Sequence, residues 1–183
     1  MLLAIIGMPA SGKGEAVDFF REKGFYIFSL GDAVREEANT LGIEPNAENL
    51  ANLANRLRDK HGRAVWAERT AEKIEESNFE NIILDGVRSP IELSTIENKI
   101  SQKASIIAIH ASSRTRHSRI MKRSRSDDTK NPEEIKARDE RELGYGLGIL
   151  ISLAEFMLVN ESTLAELRHS LEQAYKKIQN REK

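Results

Sequence analysis

The sequence contains no cysteine, which excludes disulfide bonds, thiolate catalysis and zinc sites built on cysteine. Its 28 basic and 29 acidic residues nearly cancel, so no overall field attracts nucleic acid or an anionic membrane. No apolar run approaches the ~18 residues of a membrane-spanning helix. Residues 2–6 lack a basic segment before them and a cleavage site after them, which predicts a strand rather than a signal peptide. We therefore expect a soluble, cytoplasmic protein, monomeric or a simple homo-oligomer.

The 183 residues have the length of one ordinary domain, and we expect a single domain over residues 1–183. Short apolar runs predict five strands, at residues 2–6, 25–28, 81–84, 105–110 and 156–159. Most are continuously apolar, which is typical of a parallel sheet covered by helices on both faces. Helical patterns separate the runs. The sequence therefore predicts a three-layer α/β/α fold with a five-stranded parallel sheet.

A glycine-rich segment, Gly7-Met-Pro-Ala-Ser-Gly-Lys-Gly14, joins the first predicted strand to an amphipathic helix. Glycines allow the backbone to wrap around a polyphosphate, while N–H groups, the helix N-terminus and Lys13 supply positive charge. The strict motif ends in serine or threonine where this chain has glycine. The alternative is a chance turn. The predicted phosphate-binding residues are Gly7, Met8, Pro9, Ala10, Ser11, Gly12, Lys13, Gly14 and Glu15.

Two connections between predicted strands are longer than a simple crossover. Residues 32–80 contain helical patterns at about 32–40, 47–61 and 63–77, and residues 111–155 have a strongly charged middle. We interpret them as two mobile insertions, one on each side of the phosphate loop, with a lid region at 119–141. An amphipathic helix is predicted for the final residues, 162–183.

Polar residues follow the second and third predicted strands, at the sheet edge where ligands bind. Asp32 is placed at a helix start, where it is an N-cap or a substrate contact, and Arg35 lies one turn further on. Asp85 ends a buried strand and is suited to hold Mg²⁺, although Asp85-Gly86 is also a common turn sequence. Arg88 is suited to bind a phosphate through its planar guanidinium.

A run of arginines follows the fourth predicted strand. Arg116, Arg119 and Arg123 share one helical face, and Arg138 and Arg141 share a face of the next predicted helix. Such a run is commonly a solvated surface. Two arginine helices joined by a polar loop also fit a lid that closes over phosphates.

With these segments in place, the chain resembles the nucleoside monophosphate kinases among the P-loop kinases, and it is closest to an adenylate-kinase-related archaeal group. The resemblance implies ATP and Mg²⁺ as cofactors and a small phosphoryl acceptor, with AMP the first choice. It implies that Lys13, Asp85, Arg123 and Arg138 are catalytic and that Arg119 binds the donor phosphates. It also implies that the 32–80 insertion binds the acceptor, and the implied acceptor-binding residues are Asp32, Arg35, Arg88, Glu92, Arg125 and Arg141.

The sequence also departs from that family. Glu15 replaces the threonine after the loop, and Glu92 replaces the glutamine that reads the acceptor base; a carboxylate accepts hydrogen bonds but does not donate them. The segment 154–167 is similar instead to dephospho-coenzyme A kinases, in which Asp32 would be the base for a 3′-hydroxyl. A nucleotide-binding switch with little turnover and an RNA-associated ATPase remain further alternatives.

Overall fold

The structure, a computed structural model, describes residues 1–123 and 129–181. The strands in this part of the chain are β1 (Leu2–Ile6), β2 (Tyr26–Ser29), β3 (Ile82–Asp85), β4 (Ser105–His110) and β5 (Phe156–Val159). The helices are α1 (Lys13–Glu22), α2 (Leu30–Thr40), α3 (Ala47–His61), α4 (Val65–Glu76), α5 (Pro90–Lys99), α6 (Ser113–Lys122), α7 (Pro132–Tyr145), α8 (Leu147–Ser152) and α9 (Leu164–Gln179).

The strands form one parallel sheet in the order β2-β3-β1-β4-β5, which places β1 at the centre. Ile5 lies beside Asp85, and Asp85 lies beside Ser29, so β1, β2 and β3 end at the same level of the sheet. Ligands of such sheets bind beyond this edge. The predicted α/β/α fold with a five-stranded parallel sheet is confirmed.

The central strand β1 is buried on both faces, with every residue at most 2% exposed. Leu2, Ala4 and Ile6 pack against α2, α3, α4, α5 and α8, whereas Leu3 and Ile5 pack against α1 and α9. This double burial explains the continuous apolar pattern of the strand. Helices α2, α3 and α4 of the predicted acceptor-binding insertion share the first of these cores with the sheet.

Helix boundaries differ from the predicted ones where a cap was overlooked. Helix α2 begins at Leu30 because the Ser29 hydroxyl accepts the Gly31 N–H at 3.2 Å. The alternative in which Asp32 caps this helix is therefore wrong; Asp32 lies in the first turn. In α9, Thr163 is the cap, so that helix begins two residues later than predicted. No helix in the described part of the chain is long and apolar enough to cross a bilayer.

Candidate functional site

The phosphate loop, residues 7–14, packs tightly against β4 and against Asn160, the residue after β5. A Cβ atom on Gly7 would lie 2.4 Å from the Ile109 carbonyl oxygen, and one on Gly12 would lie 2.2 Å from the Asn160 side-chain nitrogen. Gly12 also has φ of 109°, in the left-handed region that favours glycine. Close packing therefore requires both glycines, Gly7 against β4 and Gly12 against Asn160.

The Lys13 side chain folds back over this loop. Its ammonium donates to the carbonyl of Gly7 at 2.6 Å and lies 3.3 Å from that of Met8. Burial lowers the pKa of Lys13 to about 8, although the charges of Asp85 and Glu142 act to raise it. The lysine is thus a partly desolvated cation at the ends of β1 and β3.

Ser11 contributes a second unusual polar group to the loop. Its side chain is buried, and no partner within the described residues forms a hydrogen bond with its hydroxyl. A Cβ on Gly7 would lie 2.6 Å from this oxygen, so the hydroxyl is on the inner side of the loop. A buried hydroxyl without a partner is costly, and a phosphate oxygen would satisfy it.

Asn160 and Arg119 hold the loop from outside. The Asn160 side-chain nitrogen donates to the Ser11 carbonyl at 2.8 Å, and Arg119 donates to the Asn160 carbonyl at 2.9 Å. Arg119 also lies 3.4 Å from the carbonyls of Ala10 and Ser11. Sequence reasoning missed Asn160, whose only signal was its position directly after β5. In this structure Arg119 binds the loop backbone.

A partly buried ion pair connects the loop to the two arginine-bearing helices, α6 and α7. Arg116 donates to both carboxylate oxygens of Asp139, at 2.8 and 2.6 Å, and to the Pro9 carbonyl at 3.2 Å. Burial alone would raise the pKa of Asp139, but hydrogen bonds from Arg116 and His117 outweigh it and hold that pKa below its usual value. The sequence identified the arginine face of α6 but not Asp139, its partner on α7.

Asp85 lies where β3 ends, and the next residue, Gly86, adopts φ of 79°. A Cβ on Gly86 would lie 3.7 Å from the backbone nitrogens of Leu30 and Gly31, so the N-terminus of α2 faces this turn. The described residues contain no group of three or more acidic or histidine side chains able to hold a metal. The single carboxylate of Asp85 is nevertheless compatible with a Mg²⁺ ion whose other ligands are phosphate oxygens and water.

A second cluster joins Arg88 to α3, α5 and α7. The Arg88 guanidinium is paired with Glu142 at 3.1 Å and lies 5.8 Å from the centre of the Tyr145 ring. Arg58 lies 5.1 Å from the same ring and donates to Glu92 at 3.2 Å. The other oxygen of Glu92 accepts the Arg88 backbone N–H at 2.8 Å. This cluster connects α3 of the predicted acceptor-binding insertion to the C-terminal end of α7.

These contacts give Glu92 a role other than the one that its position implied. It is only 2% exposed, and both carboxylate oxygens are engaged within the protein. The expectation that Glu92 reads an acceptor base does not fit this arrangement. Sequence alone could not distinguish these possibilities, because Arg58 lies 34 residues away.

The remaining predicted residues in the described part of the chain lie in α1, α2 and α7 and at the end of α6. Arg35 donates to Asp32 at 3.1 Å, and both side chains are more than half exposed. The positive charge of Arg138 acts to lower the pKa of Lys13. Arg141 is exposed on α7. The Arg123 carbonyl accepts a hydrogen bond from Lys130 at 2.6 Å. Gly14 and Glu15 lie in the first turn of α1, while Arg125 falls outside the described residues.

Residues 6–136 match the family model described as an AAA domain. A UPF0200 protein of Hyperthermus butylicus is 47% identical over 166 residues, covering 91% of this chain and 88% of the relative. One from Thermococcus sibiricus is 38% identical over 181 residues, covering 97% and 95%.

Solved structures of two shikimate kinases share the fold. The enzyme of Acinetobacter baumannii in complex with shikimate gives a TM-score of 0.61 at 10% identity, covering 98% of this chain and 93% of that one. The enzyme of Aquifex aeolicus gives a TM-score of 0.54 at 14% identity, covering 96% of this chain and 96% of that one. The fold is therefore P-loop kinase-like. The chain belongs to the UPF0200 family, and its matched region is an AAA domain.

Proposed function

We propose that this protein is an ATP-dependent nucleotide kinase that transfers the γ-phosphoryl group to a nucleoside monophosphate, with AMP as the first choice. The observation that best supports this function is the grouping of charges at the sheet edge. The charge of Asp85 acts to raise the pKa of the Lys13 ammonium, and the charge of Arg88 acts to lower it. This ammonium lies over the glycine-rich loop at the end of the central strand. This grouping suits transfer between two phosphate-bearing ligands.

Lys13 and the loop amides would hold the β- and γ-phosphates, with the Ser11 hydroxyl as a further donor inside the loop. Asp85 would hold Mg²⁺ directly or through water, and the bound ion would neutralise charge on the donor phosphates. Asn160, Arg119 and Arg116 would keep the loop in shape. The Arg119 role proposed here is therefore indirect.

On the acceptor side, Arg35 and Arg88 would bind the monophosphate. The nucleophilic oxygen of such an acceptor is already ionised near neutral pH, so positioning replaces general-base catalysis. Arg123 and Arg138 would neutralise the transferring group, with Arg125 and Arg141 as further candidates. Closure of the 119–141 region would exclude water and suppress ATP hydrolysis.

AMP should stabilise the protein even without ATP. At ~100 times its dissociation constant, a ligand adds ~2.7 kcal/mol to the free energy of unfolding, which a melting curve detects. Arg88→Ala should remove most of this shift, whereas Arg63→Ala, at an exposed position before α4, should keep it. If no nucleoside monophosphate changes the wild-type melting temperature, the acceptor site has been misassigned.

The alternative acceptor, a 3′-hydroxyl of dephospho-coenzyme A type, is favoured by one observation: Asp32 is an exposed carboxylate just beyond β2. Asp32→Asn removes the proton acceptor and keeps the side-chain shape. For a monophosphate acceptor, kcat should fall by less than about tenfold; for a hydroxyl acceptor, it should fall by ~10²–10⁴-fold. The assay needs saturating acceptor, and the melting temperature checks the fold.

ATP binding should take up protons near pH 8. Burial lowers the pKa of Lys13 to about 8 in the free protein, and a bound triphosphate raises it again because it favours the charged ammonium. Calorimetric titrations at pH 8, in buffers with different ionisation enthalpies, should show about half a proton taken up per ATP. Affinity should fall as the pH rises above 8. Equal apparent enthalpies in all buffers would contradict this assignment, and Lys13→Met should abolish the uptake.

A further inference from the structure

Glu142 is a buried acid at a site that is proposed to bind phosphates. It lies on α7 and is 7% exposed, and its negative charge acts on Lys13. Its carboxylate is paired with Arg88 at 3.1 Å. A buried carboxylate here repels an incoming phosphate, so its presence requires an explanation beyond packing.

The backbone and the guanidinium of Arg88 are held to different extents. Its backbone N–H is fixed by the buried carboxylate of Glu92 at 2.8 Å. Its guanidinium is 41% exposed and reaches only α7 in the contacts described above, where it meets Glu142 and Tyr145. The backbone is therefore held in place while the guanidinium can exchange one anionic partner for another.

We propose that the anionic group of the acceptor displaces Glu142 from Arg88. In the free protein the carboxylate occupies the position of that anion, and in the complex the acceptor phosphate takes its place on the guanidinium. Arg138 lies one turn earlier on the same side of α7, so the released carboxylate keeps a cation beside it. This inference rests on the proposed function and adds a competitor for its acceptor site.

The exchange makes the site selective for strongly anionic acceptors. A phosphate monoester carries a charge of about −1.5 to −2 at pH 7 and offers several oxygens to a guanidinium, so it competes well with one carboxylate. A neutral hydroxyl offers no such compensation and leaves Glu142 on Arg88. Because Glu142 and Tyr145 belong to the same helix, loss of the Glu142 contact also loosens the attachment of α7 to Arg88.

The test is a double-mutant cycle read by calorimetric titration of AMP without ATP. The proteins are wild type, Glu142→Gln, Arg88→Ala and the double variant. Glu142→Gln should tighten AMP binding about tenfold in the presence of Arg88, and by less than about twofold in its absence. Glu140→Gln, on the exposed side of the same helix, should leave AMP affinity unchanged.

Each other outcome overturns the exchange. If Glu142→Gln tightens AMP binding equally with and without Arg88, Glu142 acts only by electrostatic repulsion of the ligand and not through Arg88. Unchanged or weaker binding by Glu142→Gln would mean that the carboxylate does not compete.

Failure of the proposed function has a different signature. A wild-type protein that neither binds nor phosphorylates any nucleoside monophosphate would refute that function. The same cycle would then be titrated with inorganic phosphate, which carries only the anionic group. Tightening by Glu142→Gln that depends on Arg88 would support the exchange, and its absence would refute the exchange separately.

Discussion

Lys13→Met should lower phosphoryl transfer by about 10³-fold or more without unfolding the protein, because it removes the one full charge of the phosphate loop. The fold should tolerate the change, since the ammonium bonds only to loop carbonyls in the contacts that the structure describes. Burial lowers the pKa of Lys13, which means that the charged form is disfavoured in the free protein. The melting temperature of the variant without ligand should therefore equal or exceed that of wild type.

The control for this prediction is Lys60→Met, an equivalent change at an exposed position on α3. It should keep both activity and melting temperature. Transfer by Lys13→Met at a rate near that of wild type would end the phosphate-loop assignment. A large loss of stability would show instead that Lys13 has a structural role.

Gly7→Ala should destabilise the protein by about 3 kcal/mol or more. The added methyl group would lie 2.4 Å from the Ile109 carbonyl oxygen, and this oxygen belongs to a strand buried within the sheet. Neither β1 nor β4 can move away without disturbing its other neighbours. For a chain of this size, the melting temperature should fall by roughly 6–12 °C.

Gly144→Ala is the matched control, because Gly144 lies within α7 with no heavy atom near its missing Cβ. It should be neutral or stabilise the protein by up to about 1 kcal/mol, as alanine favours helix. Equal melting temperatures for Gly7→Ala and wild type would show that the loop does not pack on β4 as described.

The parts of the fold that the sequence predicted are those encoded locally. The apolar run of β1 reflects burial on both faces, and the glycines and lysine after it define a phosphate loop from adjacent residues alone. The strand boundaries moved by one residue at β2 and β3, where pairing between Ser29 and Asp85 extends both strands. Local pattern carries no information about that pairing.

The contacts that the sequence could not predict connect distant segments. Asn160 and Ser11 are 149 residues apart, and Arg116 and Pro9 are 107 apart, so no local pattern indicated that they meet. Glu92 illustrates the opposite error. Its position implied a contact with an acceptor base, but its carboxylate is buried and forms an ion pair with Arg58.

The most direct test of the central claim is to incubate the protein with γ-labelled ATP, Mg²⁺ and, separately, AMP, CMP, UMP or dephospho-coenzyme A. The account predicts label in a nucleoside diphosphate, with ADP from AMP the fastest product, and transfer by Lys13→Met that is slower by about 10³-fold or more. Label transferred to dephospho-coenzyme A alone would contradict the monophosphate assignment. If the label stays in ATP or appears only as inorganic phosphate with every acceptor, that result would contradict the proposed kinase activity.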